Sequence, residues 1–337
     1  MEKILSVSIA AYNVQNTLRQ ALDSFVAENV RHRVDVMIVD DGSKDDTAAI
    51  AKEYEEQYPG TFRLISKKNG GWGSTLNAGM KHAVGRYFKQ LDGDDYYSLE
   101  NLADFLDFLE TTQADLVYTP FVTFTDVNGG ILRVVGNYDH IPKRQLMQMR
   151  ELEGFAPAMH TVTVRTEIVQ KNPISITEHC FYTDVEFVLK CCNFCKTVEF
   201  FEYPVYYYRL ARNGQSMSIQ GVRKNYKDHL KMLFGLLEYE KEQVKDESVQ
   251  EIFRNRLLGA CDMQYTFFFA LRATAKEKKE FRAFDAKLKA EYPWYYSRMT
   301  KVPMRILRAT NFFGYRPIAR LRMRKDKKLK REIFEGT

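Results

Sequence analysis

The hydrophobic pattern of the chain changes period repeatedly in its first third. Short β-branched apolar runs, typical of strands covered on both faces, alternate with segments of helical spacing. The predicted strands cover residues 4–10, 34–39, 62–65 and a run ending at Leu91, and the predicted helices cover residues 16–28, 45–58 and 72–84. This strand-helix order requires right-handed crossovers and predicts a mostly parallel sheet with helices on both faces.

The pattern becomes mixed after residue 99 and then almost purely helical. The mixed part predicts helices over residues 99–109 and 184–192, strands over 116–124, 131–135, 161–164 and 198–208, and a hairpin turn over 126–130. Helical spacing then dominates over residues 226–244, 249–271 and 276–291. The change of period predicts an α/β domain over residues 1–222, a helical region over 223–297 and a basic tail over 298–337.

Composition is that of an ordinary soluble globular protein, with 45% hydrophobic and 28% charged residues among 337. The sequence shows no signal-peptide pattern and no run of the ~18 apolar residues that a spanning helix needs, so we expect a cytosolic protein. Five cysteines are expected to be reduced. Cys191, Cys192 and Cys195 lack a second ligand pair at zinc-finger spacing, and we interpret them as buried thiols.

The net charge of +6 is concentrated in the tail. Residues 298–337 hold 13 Lys or Arg against 3 Asp or Glu, which leaves the rest of the chain weakly acidic. The apolar residues of the tail are Ile306, Leu307, Phe312, Phe313, Tyr315, Ile318 and Leu321. This mixture suits an interfacial helix or hairpin on anionic lipid, with nucleic-acid binding and a merely solvated basic helix as alternatives.

Three carboxylates are crowded into four residues where the strand ending at Leu91 meets a loop. Asp92, Asp94 and Asp95 repel one another unless a cation lies between them. Mg²⁺ or Mn²⁺ is the natural candidate, because hard ions are often held by one or two carboxylates together with substrate phosphates. A solvated acidic turn is the alternative.

A second acidic pair, Asp40 and Asp41, follows the second predicted strand and leads through Gly42 into a helix. Taken alone, this pair is interpreted as a helix-capping cluster, since Asp and Ser are common there. Ligands of parallel sheets bind at the carboxyl ends of the strands. We therefore expect the two acidic sites to meet in one crevice.

The order and spacing of these motifs resemble those of the family 2 glycosyltransferases over about residues 4–215. The carrying motifs are Ala10 to Asn13 after the first strand, Asp40 to Ser43 after the second, the segment 69–79, and Asp92 to Asp95. The resemblance implies an inverting enzyme with the GT-A nucleotide-sugar-binding fold. This fold is α/β, with a mostly parallel mixed sheet, and here a helical C-terminal region would follow it.

The resemblance also implies a donor site. Tyr12 corresponds to the aromatic residue that lies against the nucleobase, and Asp41 to the carboxylate that reads its ring N–H. The loop that begins at Asn69 corresponds to one that crosses the nucleotide, with Leu76 where many relatives carry Arg. The donor-binding residues implied in this way are Ala10, Tyr12, Asn13, Asp41, Asn69, Gly70, Asp92, Arg209 and Arg212.

The segment Asp92-Gly93-Asp94 matches the Asp-x-Asp motif of the family. The resemblance implies that Asp94 binds Mg²⁺ or Mn²⁺ directly, that Asp92 contacts the ribose or reaches the metal through water, and that Asp95 is structural. The metal would stabilise the charge that develops on the leaving β-phosphate.

Asp184 is the implied catalytic base, because the segment 181–187 resembles the base-bearing segment of the family. Thr183 stands where relatives often carry Glu, and a helix-start role is the alternative for Asp184. Arg209 or Arg212, next to a loop over residues 213–218 that resembles a diphosphate-closing loop, would contact phosphate. His160 lies where relatives build the acceptor side, and a structural role is its alternative.

The resemblance implies transfer of one sugar per encounter, because the Gln-x-x-Arg-Trp motif of processive members is absent. The expected donor is a UDP-sugar carrying a hexosyl or N-acetylhexosaminyl group, and the expected acceptor is a lipid-linked cell-surface or exopolysaccharide glycan. The resemblance also favours lipid over nucleic acid as the partner of the tail. We therefore expect a peripheral position on the inner face of the cell membrane. The alternative is a catalytically inactive GT-A scaffold protein that binds nucleotide at the membrane.

Overall fold

The computed structural model describes residues 2–126, 130–210 and 219–321. The chain divides into two compact units, one formed by residues 1–213 and 244–252 and the other by residues 214–243 and 253–337. The sequence-based boundaries at residues 222 and 297 stay predictions.

Strands and helices alternate through the first unit, and helices form the second. The strands are β1 (Leu5–Ala11), β2 (Val34–Asp40), β3 (Phe62–Ser66), β4 (Tyr87–Asp92), β5 (Tyr96–Tyr97), β6 (Leu116–Tyr118), β7 (Phe121–Thr125), β8 (Ile131–Val135), β9 (Met147–Gln148), β10 (Val162–Arg165), β11 (Thr197–Phe200) and β12 (Tyr206–Leu210). The helices are α1 (Leu18–Asp23), α2 (Glu28–Arg31), α3 (Thr47–Gln57), α4 (Trp72–His82), α5 (Leu102–Thr111), α6 (Thr166–Lys171), α7 (Asp184–Cys192), α8 (Ile219–Gln243), α9 (Glu247–Ala270), α10 (Ala275–Glu291), α11 (Pro293–Arg298) and α12 (Val302–Ala309).

The described residues form a large sheet with the strand order β3-β2-β1-β4-β10-β6-β11-β9. β1 pairs in parallel with both β2 and β4, whereas β10 pairs antiparallel with β4 and β6. Ala10 of β1 lies in register with Val39 on one side and with Asp92 on the other. The ends of β1, β2 and β4 therefore meet at one edge, and the predicted mixed α/β sheet is confirmed.

A smaller sheet with the order β5-β12-β7-β8 lies in the same unit. Its strand β5 follows directly after Asp95 and pairs antiparallel with β12, placing Tyr97 opposite Tyr206. This pairing brings residues from position 206 onward to the acidic turn after β4.

Two predicted strands are each divided between the two sheets. The run 116–124 forms β6 in the large sheet and β7 in the small one, and the run 198–208 forms β11 and β12. Pro120 and Pro204 lie in the two breaks. Because proline has no N–H for a strand ladder, each run changes sheet there.

One predicted helix and one predicted hairpin turn differ from the structure or lie partly outside its described residues. The predicted helix over residues 16–28 is shorter, since α1 ends at Asp23 and α2 begins at Glu28. The predicted hairpin turn over residues 126–130 lies partly outside the described residues, although its strands β7 and β8 pair antiparallel as expected. Cys191, Cys192 and Cys195 are buried thiols.

The second unit has an aromatic core into which part of the basic tail is packed. Phe268 stacks on Phe281 with ring centroids 4.4 Å apart, and Phe312 and Tyr315 pack against Phe281. Phe313, by contrast, is 86% exposed. Within the described part of the chain, no helix combines the length and the apolar character that a membrane span requires.

Candidate active site

The acidic turn after β4 is held tightly against the end of β1. The Gly93 N–H donates to the Ala10 carbonyl at 3.0 Å, and the Asp95 N–H donates to the Asp92 carbonyl at 3.0 Å. A Cβ at Gly93 would lie 3.0 Å from the Ala10 oxygen and 2.9 Å from the Val14 side chain, so larger residues are disfavoured there. One carboxylate oxygen from each of Asp92, Asp94 and Asp95 can be chosen so that all three lie within 4.8 Å of one another.

Asp92 is half-buried, and two nitrogen donors address the same oxygen. Its Oδ1 accepts hydrogen bonds from Trp72 Nε1 at 2.7 Å and from Gln90 Nε2 at 2.5 Å. Burial raises the pKa of Asp92 to about 7, and the nearby charges of Asp94 and Asp184 act in the same direction. The site therefore resists further negative charge and is suited to a cation.

Asp95 is buried, and both of its carboxylate oxygens face β12. Oδ2 accepts a hydrogen bond from Tyr206 Oη at 2.6 Å, and Oδ1 accepts one from the Arg209 N–H at 2.7 Å. Tyr206 Oη also accepts the Asp92 N–H at 3.2 Å, so one phenol oxygen joins the two ends of the turn. Burial raises the pKa of Asp95 well above its usual range, and the charges of Asp92 and Asp94 add to this rise.

Arg209 is buried against the backbone of the acidic turn. Its Nε donates to the Asp94 carbonyl at 2.7 Å, and its guanidinium also contacts Asp126 and Gln20 and lies 4.7 Å from the centre of the Phe124 ring. These contacts fix the turn from the side of β12. The contact of Arg209 with phosphate stays a prediction, and Arg212 and the loop 213–218 lie outside the described residues.

Asp41 is buried at the end of β2, where its carboxylate shapes the loop that precedes α4. It accepts the N–H groups of Gly70 and Gly71 at 2.9 and 2.8 Å, Lys67 Nζ at 2.7 Å and Ser74 Oγ at 3.2 Å. Gly71 has a φ of 83°, which glycine adopts without strain. Asp41 thus organises the predicted nucleotide-crossing loop, and its contact with a base stays a prediction.

The loops after β1 and β2 are cross-linked through Asn13. The Asn13 Oδ1 accepts the Lys44 N–H at 2.9 Å, and the Asn13 N–H donates to Ser43 Oγ at 3.0 Å. Asn13 has a φ of 54°, a left-handed conformation that asparagine tolerates better than most residues. Tyr12, beside it, is 48% exposed.

The loop before α4 is also tied to the end of β2. Asn69 Nδ2 donates to the Asp41 carbonyl at 3.0 Å. The structure therefore brings the predicted residues at the ends of β1, β2 and β4, and this loop, to the same edge of the sheet. Their donor-binding roles stay predictions.

Asp184 is the first residue of α7 and is half-buried. Its charge raises the pKa of Asp92, which places its carboxylate within electrostatic reach of the acidic turn. A helix N-terminus stabilises a carboxylate through the helix dipole. The structure thus places Asp184, remote in sequence, near the acidic turn, while its role as a base stays a prediction.

His160 lies in an aromatic cluster next to the acidic turn. Its ring stacks on Phe121 at 4.8 Å and contacts the rings of Tyr206 at 4.8 Å and Tyr208 at 4.5 Å. Its carbonyl accepts a hydrogen bond from the buried Lys89 Nζ at 3.0 Å. His160 thus packs against the tyrosine that holds Asp95, and its role on the acceptor side stays a prediction.

Sequence reasoning missed residues that contact the carboxylates. Gln90 lies two residues before Asp92 on the same face of β4, so strand alternation gives a signal for it. Trp72 lies in a motif that was recognised, but its contact with Asp92 has no local signal. Tyr206 lies 111 residues from Asp95, and only the pairing of β5 with β12 brings it there.

The mostly parallel sheet, with acidic motifs at the carboxyl ends of β2 and β4, has the arrangement of a GT-A domain. Residues 6–171 match the family model of Glycosyl transferase family 2. Residues 6–171 therefore form a family 2 glycosyltransferase domain.

Two bacterial proteins are similar in sequence. Minor teichoic acid biosynthesis protein GgaB of Bacillus subtilis is 28% identical over 239 residues, which are 68% of this chain and 25% of GgaB. Poly(ribitol-phosphate) beta-N-acetylglucosaminyltransferase TarS of Staphylococcus aureus is 25% identical over 215 residues, which are 63% of this chain and 36% of TarS. The chain thus spans only a minor part of the length of these relatives.

Solved structures share the fold over nearly the whole chain. One is the crystal structure of S. aureus TarS 1-349 in complex with UDP-GlcNAc, with a TM-score of 0.71 and 19% identity. The match covers 96% of this chain and 92% of the TarS chain. The mannosyltransferase PcManGT from Pyrobaculum calidifontis in complex with GDP-Man and Mn2+ covers 97%, and 88% of that chain is covered, with a TM-score of 0.55 and 14% identity. The GT-A fold is therefore confirmed.

Proposed function

We propose that the chain is a metal-dependent, inverting glycosyltransferase that moves a single sugar from a nucleotide-sugar donor to a cell-surface glycan. The observation that carries this proposal is the acidic turn, whose three carboxylates lie within 4.8 Å of one another at the carboxyl end of β4. Family 2 membership and the electrostatic coupling of Asp184 to this turn support it.

The donor set fits a hard divalent ion. Carboxylate oxygens are the ligands that Mg²⁺ and Mn²⁺ prefer. The raised pKa of Asp92 reflects burial and then the charges of Asp94 and Asp184, and a cation would offset both. Asp94 and Asp92 would hold the ion, since Asp95 already uses its oxygens for β12. When bound, the ion would stabilise charge on the leaving diphosphate. The Mn2+ complex of PcManGT supports this assignment.

The side chains of this protein would perform the remaining steps. Tyr12 stacks on the nucleobase, Asp41 accepts its ring N–H, and Asn13 and the loop at Asn69 enclose the nucleotide. Asp184 accepts the proton of the acceptor hydroxyl as the oxygen attacks the opposite face of the sugar. Inversion requires only this one base.

A UDP-sugar, and specifically UDP-N-acetylglucosamine, is the donor that we propose. The TarS fragment with the same fold was crystallised with UDP-GlcNAc. We propose a polyol-phosphate polymer of the teichoic-acid type as the acceptor, because GgaB and TarS both carry such polymers in their names. His160 would lie on the side from which this acceptor enters.

We also propose that the protein works at the inner face of the cell membrane, on an acceptor that is lipid-linked. Residues 298–321 contain six Lys or Arg and no Asp or Glu. Val302, Ile306, Phe313 and Leu321 are exposed among them. Basic residues close to an anionic surface contribute about 1 kcal/mol each. Binding to vesicles of anionic lipid, lost when Phe313 and Arg305 are replaced by Ser and Glu, tests this part.

The enzymatic proposal is tested by transfer assays with a panel of nucleotide sugars, Mn²⁺ and poly(ribitol phosphate). We expect transfer from UDP-N-acetylglucosamine that is abolished in both Asp94→Ala and Asp184→Asn. Asp107→Asn, an exposed change on α5, is the matched control and retains full activity. Nucleotide binding without turnover on any donor and acceptor would instead support the inactive scaffold.

A further inference from the structure

Asn77 of α4 forms a two-point contact with the backbone of a residue 99 positions away. Its Nδ2 donates to the Ile176 carbonyl at 2.9 Å, and its Oδ1 accepts the Ile176 N–H at 2.8 Å. Nδ2 also lies 3.3 Å from Glu178 Oε1, another acceptor. All three contacts agree on one orientation of the amide, so Asn77 supplies both a donor and an acceptor that only Asn matches at this length.

The segment around Ile176 lies directly on α4 and on the loop before it. A Cβ at Gly73 would lie 2.4 Å from the Thr177 carbonyl oxygen, which shows how closely the two backbones approach. The His179 N–H donates to the Gly70 carbonyl at 2.6 Å. Gly70 in turn donates its own N–H to Asp41 at 2.9 Å. The segment is therefore joined to the loop that Asp41 organises.

The opposite side of the same segment is joined to α7. The buried Glu186 accepts the Thr177 N–H at 3.0 Å and the Thr177 hydroxyl at 3.1 Å. Lys190 Nζ contacts Glu186 at 2.6 Å and the Ser175 carbonyl at 2.6 Å. Because α7 begins with Asp184, these contacts connect the segment to the proposed base.

The backbone between these anchors is strained. His179 and Tyr182 have φ angles of 49° and 68°, which residues other than glycine rarely adopt. Such conformations persist only where the surrounding contacts determine them. The Asn77 pair holds the N-terminal end of this stretch, and the contacts of Glu186 with Thr177 close the loop that contains it.

We propose that Asn77 is a positioning residue that sets the place of Asp184 relative to the donor loop. The amide holds Ile176, the segment 176–182 transmits this constraint to the start of α7, and the His179 contact fixes the same segment to Gly70. The consequence for transfer rests on the proposed function of Asp184, whereas the anchoring itself does not. A displacement of about 1 Å in a reacting group lowers the rate about 100-fold.

Asn77→Asp and Asn77→Ala test this inference. Asp is isosteric with Asn but offers no donor to the Ile176 carbonyl, so we expect it to be as damaging as Ala. In both variants kcat for sugar transfer should fall about 100-fold, while KM for the nucleotide sugar should change less than about threefold. Amide hydrogen exchange of residues 176–182 should become faster in both variants, with no change in β1 and β4.

Lys81→Ala, an exposed change on the same helix, is the matched control and should leave kcat and exchange unchanged. Gly73→Ala gives an independent test that keeps Asn77 and improves helix propensity, so it does not depend on how well the Asn77 variants fold. It should displace the segment and reproduce both effects.

Unchanged exchange of residues 176–182 in the Asn77 variants overturns the inference, whether or not kcat falls. Faster exchange together with undiminished kcat overturns it as well. If the wild-type chain transfers no sugar from any donor while the variants exchange faster, the anchoring is supported and the proposed function fails. The two failures are thereby distinguishable.

Discussion

The acidic turn of the first unit and the Asp285 site of the second unit arrange their carboxylates in opposite ways. In the first unit, Asp92, Asp94 and Asp95 crowd one turn, and burial together with the charges of Asp94 and Asp184 raises the pKa of Asp92 to about 7. In the second unit, Asp285 accepts from Arg308 Nη2 at 2.9 Å and from Tyr265 Oη at 2.6 Å. The acidic turn concentrates like charges, whereas the single carboxylate of Asp285 is compensated by Arg308 and Tyr265.

This difference separates function from stability. A compensated buried carboxylate contributes to the fold, and its loss leaves a partner charge unpaired. Crowded carboxylates repel one another when they are ionised and thereby destabilise the folded protein. Such groups are expected where a cation or a proton must be bound. Changes at the acidic turn should therefore affect turnover, and changes at Asp285 should affect unfolding. The two tryptophans, Trp72 and Trp294, lie one in each unit, so single-tryptophan chains report the two separately.

The largest effect is expected for Asp94→Asn. Transfer should fall at least about 1000-fold, because the proposed metal ion at the leaving group would lose its direct ligand. The free energy of unfolding of the first unit, measured from Trp72 fluorescence in a Trp294→Phe chain, should stay the same or rise by up to about 1 kcal/mol, since repulsion is relieved. A stability loss of several kcal/mol in this variant would contradict the comparison.

Asp285→Asn should show the reverse behaviour. Its side chain is 9% exposed and that of Arg308 is 19% exposed. Removal of this charge should lower the free energy of unfolding of the second unit by about 2–4 kcal/mol, with transfer at 25 °C unchanged. Trp294 fluorescence in a Trp72→Phe chain measures the unfolding, and transfer is assayed without that change.

Asp262→Asn is the control for this variant. It breaks a solvent-exposed ion pair with Lys301. The side chain of Asp262 is 35% exposed and that of Lys301 is 70% exposed. Such pairs contribute less than about 1 kcal/mol. Equal losses in Asp262→Asn and Asp285→Asn would show that burial does not decide the outcome.

The second unit should also lose stability in acid through His229. Burial lowers the pKa of His229 to about 4, against an ordinary 6.5, and Gln264 and Phe267, which contact its ring, are uncharged. The unfolded chain takes up a proton on His229 as the pH falls through 6.5, whereas the folded chain does so only near pH 4. The free energy of unfolding should therefore be highest above pH 6.5 and should decrease toward pH 4. The total loss is about 3 kcal/mol by linkage.

His229→Asn checks this assignment. Asn has no ring proton to bind, so the difference in unfolding free energy between wild type and variant should shrink from pH 7 to pH 4. Denaturant unfolding followed at Trp294 across this range measures it. A difference that is independent of pH would refute the role of His229.

The smallest effect is expected from Mn²⁺. An ion at ten times its dissociation constant stabilises the state that binds it by about 1.4 kcal/mol. This increase should occur in the unfolding of the first unit, disappear in Asp94→Asn, and be absent from the second unit. Stabilisation of both units alike would point to nonspecific binding.

Much of the fold follows from local patterns. The apolar runs that became β1 and β2 are buried from both faces, so their composition alone identified them. The places of Asp41 and of the turn after β4 followed as well, because parallel strands end at a common edge. The divided runs at residues 116–124 and 198–208 did not, since each looks continuous in hydrophobicity although a proline separates two sheets.

The sequence by itself determined the family, the parallel core and the residues that carry the candidate chemistry. Only the tertiary structure decided how these residues are held: Tyr206 and Arg209 on the acidic turn, Asp41 on its loop, and Asn77 on the segment before Asp184. The physical reason is range. Hydrophobic period and turn chemistry act over a few residues, whereas the hydrogen bond across 111 positions depends on the pairing of β5 with β12. The hydrogen bond across 99 positions depends on how the segment around Ile176 packs against α4.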